Sequence, residues 1–455
     1  MALSANSVVE VRTGGNDTNG GGFVTGAAGT DYSQQNAKNT VGSDISTTDG
    51  VGNGTTTFTS ATANFGTTIV GNIIYLQGGT GGLAAGWYQV TARASTTSIT
   101  LDRAVAAGTG ITMNIGGALA SLGMAGGYGL VSGGIIYVQS GSFTVTSAST
   151  NVTGGCFSSS LAFLHIEGYQ TSRGDMGTAP VLTASGISTF NIITLTGTSA
   201  SVYNMSLDGA SLTTSRGFNM RGVAYRCRAA NFTSRGFFIN GGSVTWIRCV
   251  ATGCSSTPPF SGGLLIECVS YENSISGFED FTGAIRCISD SNTGATSDGF
   301  LVNHVNSVTS IQHCVSYNNG RAGYRVNSNA AYIDNCIAES NAGFGVDVNN
   351  VSNVIIQNLG TFSNTGGTVS IGTGKSNINT GGVSGSASFF TDAPNQDFTL
   401  NNTSGAGAAA RGAGFNTLPI GGTGFPDLGA IQHQDAGSGG GGLRLAGRGG
   451  LAAGA

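Results

Sequence analysis

The chain has 455 residues, 78 of them glycine and 6 proline, with 9% charged side chains and a formal net charge of −4. That balance excludes a charge-driven disordered chain, and with no Lys/Arg stripe to neutralise phosphates it argues against a nucleic-acid partner. No run of 18 apolar residues occurs, so no spanning helix and no membrane insertion are expected.

Met1-Ala2-Leu3-Ser4-Ala5-Asn6-Ser7 has neither a basic n-region nor an apolar h-region, so a secretory signal is not expected. Residues 1–55 read as an amino-terminal cap region. In it Val9-Glu10-Val11-Arg12 is a strand, and Gly15-Asn16-Asp17-Thr18-Asn19-Gly20-Gly21-Gly22-Phe23 follows as Asx turns with left-handed glycines. Calcium is the alternative reading of those carboxylate and amide oxygens, but an EF-hand frame is missing, and no cofactor is expected.

Residues 56–118 read as a small antiparallel β-barrel or meander. Its strands are Ile73-Ile74-Tyr75-Leu76-Gln77, Trp87-Tyr88-Gln89-Val90-Thr91-Ala92-Arg93 and Ser98-Ile99-Thr100-Leu101-Asp102-Arg103. Trp87 and Tyr88 are glycan-stacking candidates, weighed against a packed aromatic core, which is favoured.

Residues 119–400 carry a repeat. Cys227, Cys249, Cys268, Cys287, Cys314 and Cys336 follow one another at intervals of 22, 19, 19, 27 and 22 residues. Asn273, Asn292, Asn319 and Asn341 each stand five residues after a cysteine, and Asn364 holds that place in a copy with leucine instead. Gly-aromatic pairs follow: Gly236-Phe237, Gly277-Phe278, Gly299-Phe300, Gly323-Tyr324 and Gly343-Phe344. Short alternating apolar runs such as Leu264-Leu265-Ile266-Glu267-Cys268-Val269 belong to strands. A unit of this length without helical periodicity is one coil of a solenoid. The expected fold is therefore all-β: a right-handed parallel β-helix with coils of about 20–25 residues. Inward cysteines would form one ladder and asparagines a second at a turn, both at the sheet spacing of about 4.8 Å. Cys254, at an asparagine position five residues after Cys249, leaves a disulfide between them open. A column of thiols does not converge as tetrahedral zinc requires, so no metal is expected.

Residues 401–434 read as a closing segment that covers the solenoid's last unpaired edge. Residues 435–455 are a Gly/Ala-rich tail, either flexible or docking, in which Leu443, Leu445 and Leu451 interrupt the glycines around Arg444 and Arg448.

Catalysis on a glycan would need paired carboxylates. The candidates are Glu272 with Asp290 near one turn, and a column of Glu279, Asp298, Arg325 and Asp347, eleven residues after the ladder position. Arg325 is the candidate base for a lyase. His165, His304, His313 and His433 are scattered and read as surface or strand residues.

Four stretches resemble the pectate-lyase-like β-helix superfamily. They are Val11-Arg12-Thr13-Gly14-Gly15 with the turn region after it, Leu164-His165-Ile166-Glu167-Gly168-Tyr169, Gln396-Asp397-Phe398-Thr399-Leu400, and Asp427-Leu428-Gly429-Ala430-Ile431. With the small β insert and Gly116–Gly123, the layout is similar to phage-encoded β-helix proteins of tail spikes, tail fibres and capsid decorations. That resemblance implies a virion-surface structural protein made in the host cytoplasm. It would be a homotrimer in contact with other virion proteins, acting in host attachment or particle decoration rather than as an enzyme. A depolymerase, hydrolase or lyase, acting on host surface glycan is the alternative it implies. No catalytic residue carries over.

Overall fold

The computed structural model of the chain describes residues 7–38, 47–150, 152–213, 215–303, 308–327, 330–349, 353–372, 378–414 and 427–432. It divides into two compact units: Met1–Leu212 with Asn219–Gly222, and Thr213–Phe218 with Val223–Ala455. Both contain stacked parallel strands, and the chain is an all-β parallel solenoid with a small closed antiparallel sheet.

In the first unit, strands Ser7–Val11, Ile135–Gln139, His165–Tyr169 and Ser201–Tyr203 lie side by side, with Val9, Ile136, Ile166 and Val202 in register. These four are buried and point inward. The steps from Ile136 to Ile166 and from Ile166 to Val202 are 30 and 36 residues. These coils are longer than the 20–25 residues expected, because extra turns and strands are looped between rungs. A closed six-stranded antiparallel barrel, Thr47–Gly52 to Gly108–Ile115, interrupts the first and second rungs. It begins ahead of the expected boundary at 56, and it stands within the solenoid's strand sequence rather than before it. Phe58, Phe65, Ile74, Leu76, Val90, Ile99, Leu101, Ile111 and Met113 fill its interior.

The second unit shows why the repeat has its period. Trp246, Leu265, Ala284, Ile311, Ile333 and Ile356 are in register on successive parallel strands. A second sheet stacks Val250–Thr252, Val269–Tyr271, Ile288–Asp290, Val315–Tyr317 and Ile337–Glu339. Between the sheets the chain turns sharply through one left-handed residue: Arg226, Arg248, Glu267, Arg286, His313, Asn335 and Asn358 all have φ between 48° and 54°. A second left-handed corner ends the short strand, at Glu272, Ser291, Asn318, Ser340 and Ser363. Each such residue disfavours the fold by roughly 1–2 kcal/mol. The inward residue after each corner offsets that cost: cysteine after the first, with leucine at Leu359, and asparagine after the second.

The asparagines bond along the column. Asn273, Asn292, Asn319 and Asn341 each donate Nδ2 to the next Oδ1, at 2.8, 2.8, 3.0 and 2.9 Å, ending on Asn364. The same oxygens accept the backbone N–H of the preceding coil's ladder residue, beginning with Cys254. A third column stacks Phe218, Phe237, Phe260, Phe278, Phe300 and Tyr324 at 4.5–5.1 Å. It ends there: Val346 takes the next place in register and Phe344 is only half-buried, so the Gly343-Phe344 pair does not extend the rings.

All eight cysteines are buried and free, so the Cys249–Cys254 pair is not a disulfide. Burial pushes the thiols of Cys249, Cys287 and Cys314 well above the ordinary range and that of Cys254 up to about 12. A thiol reagent such as Ellman's is therefore expected to find no reactive cysteine in the native protein and eight in denaturant, with no reductant added. Fast native labelling, or fewer than eight thiols on unfolding, would contradict this packing.

The described residues of the carboxyl-terminal segment pack along the solenoid's side. After the last solenoid strand, Ile378–Ser384, the chain makes an antiparallel hairpin, Phe390–Asp392 with Asp397–Leu400. It then lies back along the side of the second sheet. Phe389, Phe390, Phe398, Leu400, Ala410, Leu428 and Ile431 pack on an outward column of Val250, Val269, Ile288, Val315 and Ile337. The expected edge cover is thus a lateral strap, because an outward apolar column offers more area than one terminal coil. Its hairpin starts before 400, inside the stretch expected to be solenoid. Phe425, Pro426 and the 435–455 tail lie outside the described residues.

His313 fastens the strap. Its Nδ1 lies 3.2 Å from the Asp427 carbonyl oxygen and its Nε2 lies 3.3 Å from Asn335 Nδ2. It is fully buried at a left-handed corner, where a surface or strand residue was expected. Burial lowers its pKa from 6.5 to about 4, with the Asp427 carbonyl pulling upward and Arg286 downward. The folded state therefore resists a proton that the unfolded state accepts. Stability is full above pH 6.5 and is lost as pH falls towards 4, by about 3 kcal/mol. His313→Asn, which tolerates the left-handed corner, is expected to flatten the pH dependence of urea unfolding between pH 6.5 and 4; an unchanged slope would contradict the assignment.

Candidate functional site

The carboxylates singled out by spacing fall into separate settings in the second unit. Asp290 is 4% exposed, in register with Tyr271 and Tyr317 on the face that the strap covers. Glu272 occupies the neighbouring left-handed corner, exposed, and donates its backbone N–H to the Asp290 carbonyl at 3.1 Å. The two are neighbours in the chain path but belong to different columns.

Glu279, Leu301, Arg325 and Asp347 share a column on the third sheet. Asp298 is not in it. Asp298 lies two residues before Phe300, at the turn, where Arg321 Nε reaches its Oδ1 at 2.7 Å and the Ala322 N–H donates at 3.1 Å. Burial pushes the Asp298 carboxyl up, and Arg321 and Ala322 pull the other way. Arg325 pairs with Asp347 at 3.4 Å and with Asn327 at 3.0 Å. Glu279 accepts from Asn303 at 3.1 Å, and Asn303 accepts from Asn327 at 2.9 Å, a short outward amide chain. Glu279 is raised above the ordinary carboxyl range by burial and then by Asp280. Glu279 and Asp347 stand three strands apart, about 14 Å on the strand spacing. That exceeds the separation of about 6.5–9.5 Å for inverting hydrolysis.

Trp87 and Tyr88 are 8% and 5% exposed. Trp87 donates to the Asn19 carbonyl at 3.0 Å and packs between Tyr75 and Tyr128, while Arg103 sits 4.1 Å over the Tyr88 ring. Neither leaves a face for a sugar, and the packed-core reading is the one the structure shows. Asp17 is likewise occupied, accepting the N–H groups of Ala120 and Ser121 at 2.9 Å and the Ser121 hydroxyl at 2.8 Å. Among the described residues no group of three or more His, Cys, Asp or Glu is placed to hold a metal ion. His304 and His433 lie outside the described residues.

The richest cluster is also in the first unit, among residues that the sequence did not single out as a site. In strands Ser7–Val11, Ile135–Gln139, His165–Tyr169 and Ser201–Tyr203, Glu10, Tyr137, Glu167 and Tyr203 stand in register between inward apolar residues. They form one outward column. Ile135, His165 and Ser201 form the next. Glu10 is fully buried and held by Arg12 at 2.9 Å, by Arg173 at 2.7 Å and by the Tyr169 hydroxyl. Arg173 also pairs with Asp31 at 2.8 Å and lies 4.7 Å over the Tyr137 ring. Burial opposes the Arg173 charge, but Glu10 and Asp31 outweigh it and raise its pKa. Tyr137 and Tyr169 are raised by burial and by the nearby carboxylates, so both stay neutral donors. Removing Arg173 would strand a buried charge. This part of the cluster is therefore scaffold.

Beyond it lies a more open part. Glu167 accepts the Gly174 N–H at 2.7 Å and lies 3.1 Å from His165 Nε2, whose side chain is 21% exposed. His165 Nδ1 lies 2.8 Å from Ser201 Oγ, and its ring meets the Tyr203 ring edge-on at 4.8 Å. Tyr137, His165, Ser201 and Tyr203 are each half-buried. Two open pockets of this unit, about 200 and 210 Å³, are lined by no titratable side chain and carry no chemistry.

No family model and no curated protein matches the chain. Solved structures do. Pectate lyase Pel9A is 15% identical, covering 70% of this chain and 92% of its own, with a TM-score of 0.43. The A-module of the Azotobacter vinelandii mannuronan C-5 epimerase AlgE4 is 15% identical over 55% of this chain and 86% of its own, with a TM-score of 0.40. The catalytic unit of the GH87 α-1,3-glucanase from Streptomyces thermodiastaticus strain HF3-3 is 10% identical over 72% and 88%, with a TM-score of 0.32. These are polysaccharide-processing β-helix enzymes. At such identities the likeness concerns the fold, and it assigns no residue of this chain a role.

Proposed function

We propose that this chain is a glycan-binding β-helix of a bacteriophage particle's surface, acting in host attachment or decoration, and that the open column of the first unit is its glycan contact. The observation that carries the glycan reading is the alternation of Glu10, Tyr137, Glu167 and Tyr203 across four strands. A sugar presents an apolar C–H face and a rim of hydroxyls, which suit a tyrosine beside a fixed carboxylate. Tyr203 stands beside Glu167 in the open part, and Tyr137, two strands away under the Arg173 guanidinium, belongs to the scaffold that holds it. Glu10 and its guanidinium partners keep the strip rigid, which lowers the ordering cost of binding. Homotrimeric assembly, contact with other virion proteins and display on the particle belong to the same proposal and rest on the sequence resemblance.

The second reading is a host-glycan depolymerase. It is favoured by Glu279, a half-buried carboxyl raised by burial as a general acid would be. One experiment separates the two. Capsular polysaccharides and lipopolysaccharides from candidate hosts are titrated into the protein by calorimetry, while new reducing ends and ultraviolet-absorbing products are followed. Binding that falls at least tenfold in Tyr203→Ala, without product, is the expected result. Sustained product that disappears in Glu279→Gln replaces adhesion with depolymerisation. No binding across the panel overturns the glycan reading.

A further inference from the structure

The open part of the first unit has a geometry that binding alone does not require. Ser201 and His165 are lateral partners on adjacent parallel strands, with Oγ 2.8 Å from Nδ1. Glu167, two residues along from His165 on the same face, holds the other ring nitrogen at 3.1 Å, and its second oxygen is fixed by the Gly174 N–H at 2.7 Å. A carboxylate only accepts, so it keeps the imidazole proton on Nε2 and turns the Nδ1 lone pair towards the serine hydroxyl. Tyr203 limits rotation of the ring from the side. A hydroxyl, a base and a base-orienting carboxylate in contact are the parts of nucleophilic acyl transfer, recognised by roles and not by sequence order.

We propose that Ser201, His165 and Glu167 cleave small acyl esters, with O-acylated sugars as the substrate class; that class rests on the glycan reading of the same strip. Ser201 Oγ adds to the ester carbonyl carbon as His165 Nδ1 takes its proton. The tetrahedral adduct collapses, breaking the bond to the alkoxy oxygen, which leaves as the alcohol with the proton from His165. Water then adds to the acyl-serine with His165 again as base, releasing the carboxylic acid and restoring the serine. Ser201 and His165 are the catalytic residues, and Glu167 is a positioning residue.

The test uses the full chain and two probes that need no glycan: a fluorophosphonate, mapped by peptide mass spectrometry, and p-nitrophenyl acetate. One adduct on Ser201 is expected in the folded protein, together with a burst of p-nitrophenol. Both should be absent in Ser201→Ala. His165→Gln should slow labelling at least tenfold, and Glu167→Gln should shift the pH profile of labelling, which a merely structural carboxylate would not do. No Ser201 adduct in folded protein, or ester release unchanged in Ser201→Ala, overturns the proposal. Acetate release from an O-acetylated polysaccharide extends the test to the substrate class. A labelled Ser201 in a protein that binds no glycan leaves the acyl chemistry standing and removes the glycan reading.

Discussion

Asn319→Ala is expected to destabilise the centre of the second unit by about 3–6 kcal/mol. Asn319 is 1% exposed, and its Oδ1 accepts both the backbone N–H and the Nδ2 of Asn292, at 3.3 and 2.8 Å, and the Ser289 hydroxyl at 3.3 Å. Its Nδ2 donates to Asn341, Ser316 and the Ser289 carbonyl. The variant leaves several buried groups unpaired at once, and each unsatisfied buried group costs about 1–3 kcal/mol. The loss should be local first, since each coil of a solenoid leans on its two neighbours. Hydrogen exchange of the Asn292 and Asn319 amides is the measurement: acceleration of a hundredfold or more is expected, whereas a change under fivefold would mean the ladder carries little of the stability.

Phe398→Ala is expected to free the lateral strap. Phe398 is 1% exposed and meets Tyr317 at 5.7 Å and Phe390 at 5.2 Å, both edge-on. Truncating a buried phenylalanine costs about 3–5 kcal/mol, more than a segment held mainly by one apolar face retains. Among the described residues its polar fastenings to the solenoid include Glu339 accepting the Phe389 N–H at 3.0 Å, Gly429 donating to the Asn335 carbonyl at 2.8 Å, and His313 Nδ1 at 3.2 Å from the Asp427 carbonyl oxygen. Released, the strap would bare the column of Val250, Val269, Ile288, Val315 and Ile337. Limited proteolysis between residues 386 and 432, with concentration-dependent association in sedimentation, should report both events. Unchanged protease resistance would show that the polar fastenings suffice.

The solenoid was legible because its inward residues repeat. Cysteine and asparagine recur at the places where the coil turns, and a turn that must fit a neighbour of identical shape tolerates few residue types. The corners themselves were not legible. Glu272 and Asp290 looked like a pair because spacing counts residues and does not show that one sits at a left-handed corner and the other at a strand end under the strap. Asp298 was placed beside Glu279 by a count of eleven, which fails where the turns of successive coils differ in length. The strap was hidden because Phe389, Phe398, Leu428 and Ile431 have no period, and their partners read as ordinary alternating strands.

The strip in the first unit was hidden for a different reason. Glu10 and Tyr137 are brought into register across the whole inserted barrel. A local signal was nevertheless present. Val9-Glu10, Ile136-Tyr137, Ile166-Glu167 and Val202-Tyr203 each set an outward glutamate or tyrosine beside an inward aliphatic residue. A plain solvated strand would carry threonine or serine at those places.

The most direct test of a glycan contact in the first unit is a crystal structure of the full chain with the tightest-binding oligosaccharide from the host panel. The account predicts density for a sugar ring against Tyr203, with hydroxyls towards Glu167 and Ser201. Sugar bound instead along the Glu279, Asn303 and Asn327 chain of the second unit, with the first unit bare, would contradict it.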